Sequence, residues 1–221
     1  MACVEYSFTN QEMILLKLKY ETLVFGELSL HLCMLNDRQQ FSDDAGEAEA
    51  VGISSSQWPL FGVVWVAGHA LAEYLVTMDV LGKRILEVGC GIAVGSLVLN
   101  RRGADITAMD YHPEAGKFLE RNVQLNGDPA IKFVQGNWND ELPELGLFDV
   151  IIGSDLLYEE EHAEQLAAFV VRKLAPGGQV VIADPGRGFR GRFAKKLQAA
   201  GFDYQPHKID KVQIMLFSQL P

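Results

Sequence analysis

A chain of 221 residues is long enough for one well-filled α/β core and too short for two large domains. Hydrophobic residues make up 48% of it and charged residues 22%, the balance of an ordinary soluble globular protein. The formal net charge of −10 repels phosphate backbones and so argues against a nucleic-acid partner.

The N-terminus, Met1 to Glu5, lacks the basic and apolar regions of a signal peptide. The apolar run 13–35 is broken by Lys17, Lys19, Glu21, Gly26 and Glu27, short of the about 20 apolar residues that a membrane span needs. It reads instead as two strands, 13–20 and 28–32, with a turn near Gly26. From Asn36 to Ser56 the composition shifts to Asp, Glu, Ser, Gly and Ala, the mark of a mobile acidic linker or surface loop. Residues 1–56 are therefore expected to form a small β-rich extension and linker ahead of a main domain over 57–221.

A helix follows Pro59, with Val64, Gly68, Leu71, Leu75 and Met78 on one face. Strands and helices then alternate. Strands are expected at 84–88, 104–109, 131–135, 148–153 and 179–183, and two more near Asp203 and at 212–217. The intervening helices fall at 96–102, 113–126, 160–174 and along the Phe189, Phe193, Leu197, Ala200 stripe. Pro113 opens one helix and Gly127 closes it, and Pro176-Gly177-Gly178 stops another. This is an α/β fold: a mainly parallel, Rossmann-like sheet of seven strands with helices on both faces.

The strongest signal is Glu87-Val88-Gly89-Cys90-Gly91, where a buried strand enters a glycine turn and then a helix. Glycines there let a nucleotide approach the main chain, and the helix presents unpaired N–H groups. Asp110 ends the next strand about 20 residues on, where an acid hydrogen-bonds ribose hydroxyls. The carboxylate of Glu87 repels a pyrophosphate but suits a cation. That ranks S-adenosylmethionine, with its sulfonium and amino group, ahead of NAD.

These residues resemble motif I and the following acid of class I S-adenosylmethionine-dependent methyltransferases, with Ala93 in the place of the usual third glycine. Three further segments resemble the seven-β-strand protein lysine methyltransferases of methyltransferase family 16. They are 60–65 with Trp65, the Asn137-Trp138 pair, and Ser154-Asp155-Leu156-Leu157-Tyr158. The resemblance covers roughly residues 58 to 200 and implies that 57–221 binds the methyl donor. It places Trp65 and Ser154 near the methionine end, Asp110 on the ribose and Asn137 and Trp138 around the adenine. Glu87, Gly89, Cys90, Gly91 and Tyr111 complete the expected cofactor wall.

Asp155 and Tyr158 follow the fourth strand of the main sheet, where a substrate meets the methyl group. Asp155 is expected to hold and orient an incoming amine and Tyr158 to direct it, while Asp155 as the N-cap of the next helix is the structural alternative. The face bearing Arg187, Arg190, Arg192, Lys195 and Lys196 is read as solvated rather than as a binding patch. Five scattered histidines, and Cys3, Cys33 and Cys90 without paired spacing, imply no metal and a reducing, cytoplasmic setting. The expected activity is methylation of a protein lysine by a monomer that binds neither nucleic acid nor membrane. A small-molecule or protein-histidine acceptor, or a non-catalytic cofactor-binding module, is the alternative.

Overall fold

The computed structural model describes residues 16–219, so Cys3 and the 13–15 end of the first expected strand lie outside the described residues. Strands β1 (Leu18–Phe25) and β2 (Leu28–Leu35) form the expected hairpin, antiparallel about Gly26. The composition of 36–56 suggests a linker, but α1 (Glu47–Ala50) forms within it. Asp43 makes this helical turn possible: Oδ1 accepts the Ala48 N–H and Oδ2 the Glu49 N–H, each at 2.9 Å. Ala48 and Ile53 are buried beneath it.

The main sheet contains β3 (Arg84–Val88), β4 (Asp105–Asp110), β5 (Lys132–Gln135), β6 (Phe148–Ser154), β7 (Leu174–Asp184), β8 (Phe202–Ile209) and β9 (Val212–Gln219). Their order is β5-β4-β3-β6-β7-β9-β8, with β9 antiparallel to both neighbours and the remaining pairs parallel. The expected fold class is what forms. Helices α2 (Val66–Leu75), α3 (Val94–Arg101) and α4 (Ala115–Asn126) cover one face. Helices α5 (His162–Lys173) and α6 (Arg190–Ala199) cover the other. Successive side chains alternate between the two cores: Val150 and Ile152 join the first, Ile151 the second. Burial on both faces is why these strands read as unbroken apolar runs.

Boundaries differ from the sequence expectation: β1 runs over Leu18–Phe25 rather than 13–20, and β7 starts ahead of the expected 179. β7 begins at Leu174, before the Pro176-Gly177-Gly178 stop. Its ladder with β6 jumps from the pair Phe148–Leu174 to Val150–Gln179, so the proline lies in a bulge where no ladder N–H is required.

The chain runs from β3 outward through β4 to β5 and then returns to the other side of β3 as β6. That reversal opens a crevice at the carboxyl ends of the strands. The hairpin packs onto α4, and its Leu30, Leu32, Met34 and Leu35 join the same core as Trp58, Leu71 and Phe118. Two amides one turn apart on α4 take up backbone groups of β2. Asn122 accepts the Cys33 N–H at 2.7 Å and donates to the Cys33 carbonyl at 3.2 Å. Asn126 does the same for His31, at 2.9 and 2.7 Å. The helix thus satisfies β2 as a third strand would. Asn122→Ala should strand two buried backbone groups and lower stability by about 2 kcal/mol in urea denaturation; a loss below about 0.5 kcal/mol would show that the hairpin docks without this pairing.

Candidate active site

Beyond β3 the backbone turns left-handed at alternate positions, with φ of 58° at Gly89, 52° at Gly91 and 60° at Ala93. A Cβ on Gly91 would lie 2.8 Å from the Phe61 carbonyl oxygen. This glycine is therefore required by another stretch of chain, the 3-10 helical turn Trp58–Gly62, and not only by ligand approach. Ala93 takes a conformation that costs a residue with a Cβ roughly 1 kcal/mol. It occupies the N-cap position of α3 without an oxygen to offer the helix N-terminus.

Glu87 supplies that oxygen from the strand: its Oε2 accepts the Ser96 N–H at 2.7 Å and also the Ser96 hydroxyl. A Cβ on Gly95 would sit 2.8 Å from Glu87 Oε1, so the glycine makes room for the carboxylate. Burial pushes the Glu87 carboxyl up to about 7; the Ser96 bonds oppose this and nearby Asp110 adds to it.

Asp110 clamps the turn from the next strand. Oδ2 accepts the Gly91 N–H at 2.8 Å and Oδ1 the His112 N–H at 2.9 Å. Burial raises its pKa against the pull of these backbone bonds. Each oxygen keeps a second lone pair for a ligand hydroxyl. His112 stacks on Phe61 with centroids 4.0 Å apart, and burial lowers its pKa to about 4, so it is neutral.

A cavity of about 560 Å³ opens between these loops. Gly89, Cys90 and Gly91 form one wall, Asp110 and Tyr111 the next, then Asn137 and Trp138 after β5. Trp65 and Ser154 close it from α2 and β6. All ten residues expected to bind cofactor, Glu87 included, line this one cavity. The Trp65 indole N–H donates to the Leu60 carbonyl at 3.0 Å, and the Arg38 guanidinium lies over its ring. Asn137 Oδ1 is taken by the Asn139 N–H at 3.1 Å, which leaves its amide N–H groups for the cavity. Burial, Asp110 and Glu87 push the Cys90 thiol well above its usual pKa, so it stays protonated and unreactive.

Asp155 and Tyr158 line the same cavity. α5 begins at His162, so Asp155 caps no helix, and that alternative is overturned. Asp155 has φ 57°, is buried, and donates its N–H to the Ala183 carbonyl at 2.9 Å. Both carboxylate oxygens are held by Arg187, Oδ1 by Nε at 2.7 Å and Oδ2 by Nη2 at 3.1 Å. Tyr158 is 39% exposed and packs its ring edge against His162 at 4.5 Å. Burial first, then Tyr111 and the nearby acids, hold its phenol above the usual value, so it remains protonated.

His162 in turn meets Trp138 edge-on at 5.4 Å and lies 2.9 Å from the Leu156 carbonyl through Nδ1. It joins Trp138 and Tyr158 into one aromatic wall. In the sequence His162 is one of five scattered histidines, and nothing local marks a ring that bridges two loops. Nor does any local signal mark the carboxylate partner of Arg187, 32 positions away. Arg192 and Lys196, read as a solvated face, pair with Glu160 and Glu164 of the preceding segment. Among the described residues no group of three or more His, Cys, Asp or Glu side chains is placed to hold a metal ion.

A family model described as lysine methyltransferase matches residues 55–197. The electron transfer flavoprotein beta subunit lysine methyltransferase of Xenopus laevis is 31% identical over 133 residues, 58% of this chain and 53% of its own length. The protein N-lysine methyltransferase METTL21A of Danio rerio is 32% identical over 140 residues, 58% of this chain and 63% of its own. The chain thus spans about half to two thirds of the length of these curated relatives. Among solved structures, the T. thermophilus 16S rRNA N2 G1207 methyltransferase superposes with a TM-score of 0.65 at 16% identity. It covers 92% of this chain and 51% of that one, and at that identity it shares the fold.

The Glu87 carboxyl titrates near 7 in the folded chain and at the ordinary 4.5 when unfolded. Between those values the folded state binds more protons, so this group's contribution to stability falls as pH rises and levels off above about 7. Glu87→Gln should flatten that part of the ligand-free stability profile, measured by thermal melts from pH 4 to 8. An unchanged slope would show that Glu87 titrates alike in the folded and unfolded chain.

Proposed function

Because the chain belongs to the lysine methyltransferase family, we propose that it transfers a methyl group from S-adenosylmethionine to a lysine side chain of a protein. The observation that carries this reading is the shared cavity. Asp110 and Trp138 line it together with Asp155 and Tyr158. Its volume of about 560 Å³ suits a ligand of this size, since small-molecule sites span about 300–1,000 Å³.

The residues present fit this cofactor. Asp110 retains lone pairs for ribose hydroxyls, and Trp138 offers an aromatic surface to adenine. Glu87 and Asp110 make the glycine-turn end electron-rich. Among the described residues the one Lys or Arg on the cavity wall is Arg187, whose guanidinium is paired with Asp155. A pyrophosphate would find no cation beside the turn, whereas a sulfonium and an amino group meet acids. The cofactor supplies an electrophilic methyl carbon on sulfur.

The chain's own task is to align the acceptor and keep water out. The buried Leu156 lines the cavity, Asp155 accepts an N–H from the incoming amine, and the Tyr158 hydroxyl directs it from the rim. A lysine has a reference pKa of about 10.4 and must lose its proton before attack. The net charge of −10 favours a protein acceptor carrying cations over a nucleic acid. The Dictyostelium discoideum relative named histidine protein methyltransferase 1 homolog, 28% identical, makes histidine the second acceptor to test.

Incubation with tritiated S-adenosylmethionine and cell lysate, followed by mass spectrometry of labelled protein, should yield methyl-lysine. Methylhistidine alone would move the assignment to the second acceptor, and no label in any protein would refute the proposal. Asp110→Ala should weaken S-adenosylhomocysteine at least about tenfold by calorimetry, through lost charge-assisted hydrogen bonds. Asp155→Ala should cut transfer by about 10²-fold with that affinity kept within a few-fold; a fully active variant would remove Asp155 from the acceptor site.

A further inference from the structure

Asp155 reaches the acceptor end already bound. The Arg187 guanidinium engages both of its oxygens in a forked pair, at 2.7 and 3.1 Å, and itself lines the cavity. The turn that carries Arg187 is built to hold it there. Asp184 Oδ1 accepts the N–H groups of Gly186 and Arg187 at 2.7 and 2.8 Å. Asp184 is fully buried. Gly186 has φ 113°, with open space where a Cβ would be. The backbone of Arg187 is thereby anchored while its side chain crosses 32 positions of sequence to Asp155.

Tyr158 and Asp184 face this pair directly. Glu159, from the segment after β6, and Asp110 and Tyr111, from the end of β4, stand around Tyr158, and Arg190, after β7, faces Asp184. Glu161 and His162 stand on the cavity wall at the start of α5. Most of these charged groups are acids. An unpaired Asp155 would add a further negative charge beside the acceptor nitrogen and favour the ammonium, which cannot attack. A guanidinium keeps its proton at every working pH, so the pair is neutral throughout. Each Asp155 oxygen still has a lone pair free to accept an amine N–H.

We propose that Arg187 is a positioning residue that neutralises Asp155, so that the acceptor site orients the free amine without stabilising its protonated form. This rests on the amine acceptor of the proposed function. No bond is made or broken by Arg187 or Asp155 in this role. The proton leaves the ammonium before transfer, to solvent, and the ion pair keeps that loss from being opposed.

The test compares full-length wild type, Arg187→Gln, Arg187→Lys and Asp155→Asn on the protein labelled in the lysate reaction. Circular dichroism and calorimetric titration with S-adenosylhomocysteine check folding and cofactor binding. In Arg187→Gln the acid limb of the kcat–pH profile should move up by about one pH unit. KM should not rise, and n-butylammonium should inhibit about tenfold more tightly. Arg187→Lys, which keeps the charge, should restore the wild-type limb. Asp155→Asn leaves the guanidinium unbalanced and should move the limb the opposite way with a higher KM. That variant decides the matter if Arg187→Gln does not fold. A uniform loss of kcat with the limb unmoved in both variants would overturn this inference and leave the lysine reading standing. Wild type that labels no amine would overturn the lysine reading and this inference together.

Discussion

Two buried carboxylates on adjacent strands hold the turn on which the cavity depends. Glu87 gives the start of α3 the acceptor that Ala93 lacks, and Asp110 binds the Gly91 N–H across the strand gap. Buried acids are tolerated when backbone N–H groups and a helix N-terminus face them, and both of these are so placed. Their pKa values nevertheless rise with burial, and that of Glu87 also with Asp110 nearby. The ligand-free turn therefore carries unspent negative character, which a cationic ligand relieves and a phosphate aggravates. The charge and the local stability of the turn come from the same two side chains.

A line of close contacts ties the N-terminal hairpin to that turn. Leu35 of β2 fills the space a Cβ on Gly62 would need, at 2.3 Å. The neighbouring Phe61 carbonyl does the same above Gly91, and the Phe61 ring packs edge-on to Phe118 of α4 at 5.2 Å. Asn122 and Asn126 fix β2 to the same helix. The hairpin is thus part of the packing that sets the height of the glycine turn. Interiors packed to this density transmit displacement rather than absorb it.

No single loop makes the part of the cavity around Asp155. Asp155 follows β6, Arg187 follows β7, and His162 begins α5, between Tyr158 and Trp138. The sheet brings them together because parallel strands deliver all their carboxyl ends to one edge. An ion pair at such an edge, with Arg187 39% exposed, contributes little net stability, so its value lies in the charge it cancels beside whatever enters.

Much of this protein is legible one residue at a time. The strand–glycine–helix pattern, the acid at Asp110 and the Asp155 to Tyr158 segment each carry short-range signals, and those residues line one cavity. The sheet class follows from the alternation of strands and helices, since each short periodic segment reports its own burial. Other features are invisible to local pattern. The start of β7 ahead of Pro176 depends on a bulge that only its partner strand defines. The turn at α1 depends on a carboxylate that reaches it from Asp43. The alternative of Asp155 as a helix cap fails because α5 starts only at His162, and its Arg187 partner lies 32 positions away. Sequence determined which side chains stand at strand ends, because periodicity and glycine placement act within a few residues. Tertiary structure alone decided which of them share charge, because Coulomb and hydrogen-bond partners are chosen by distance in space and leave no mark along the chain.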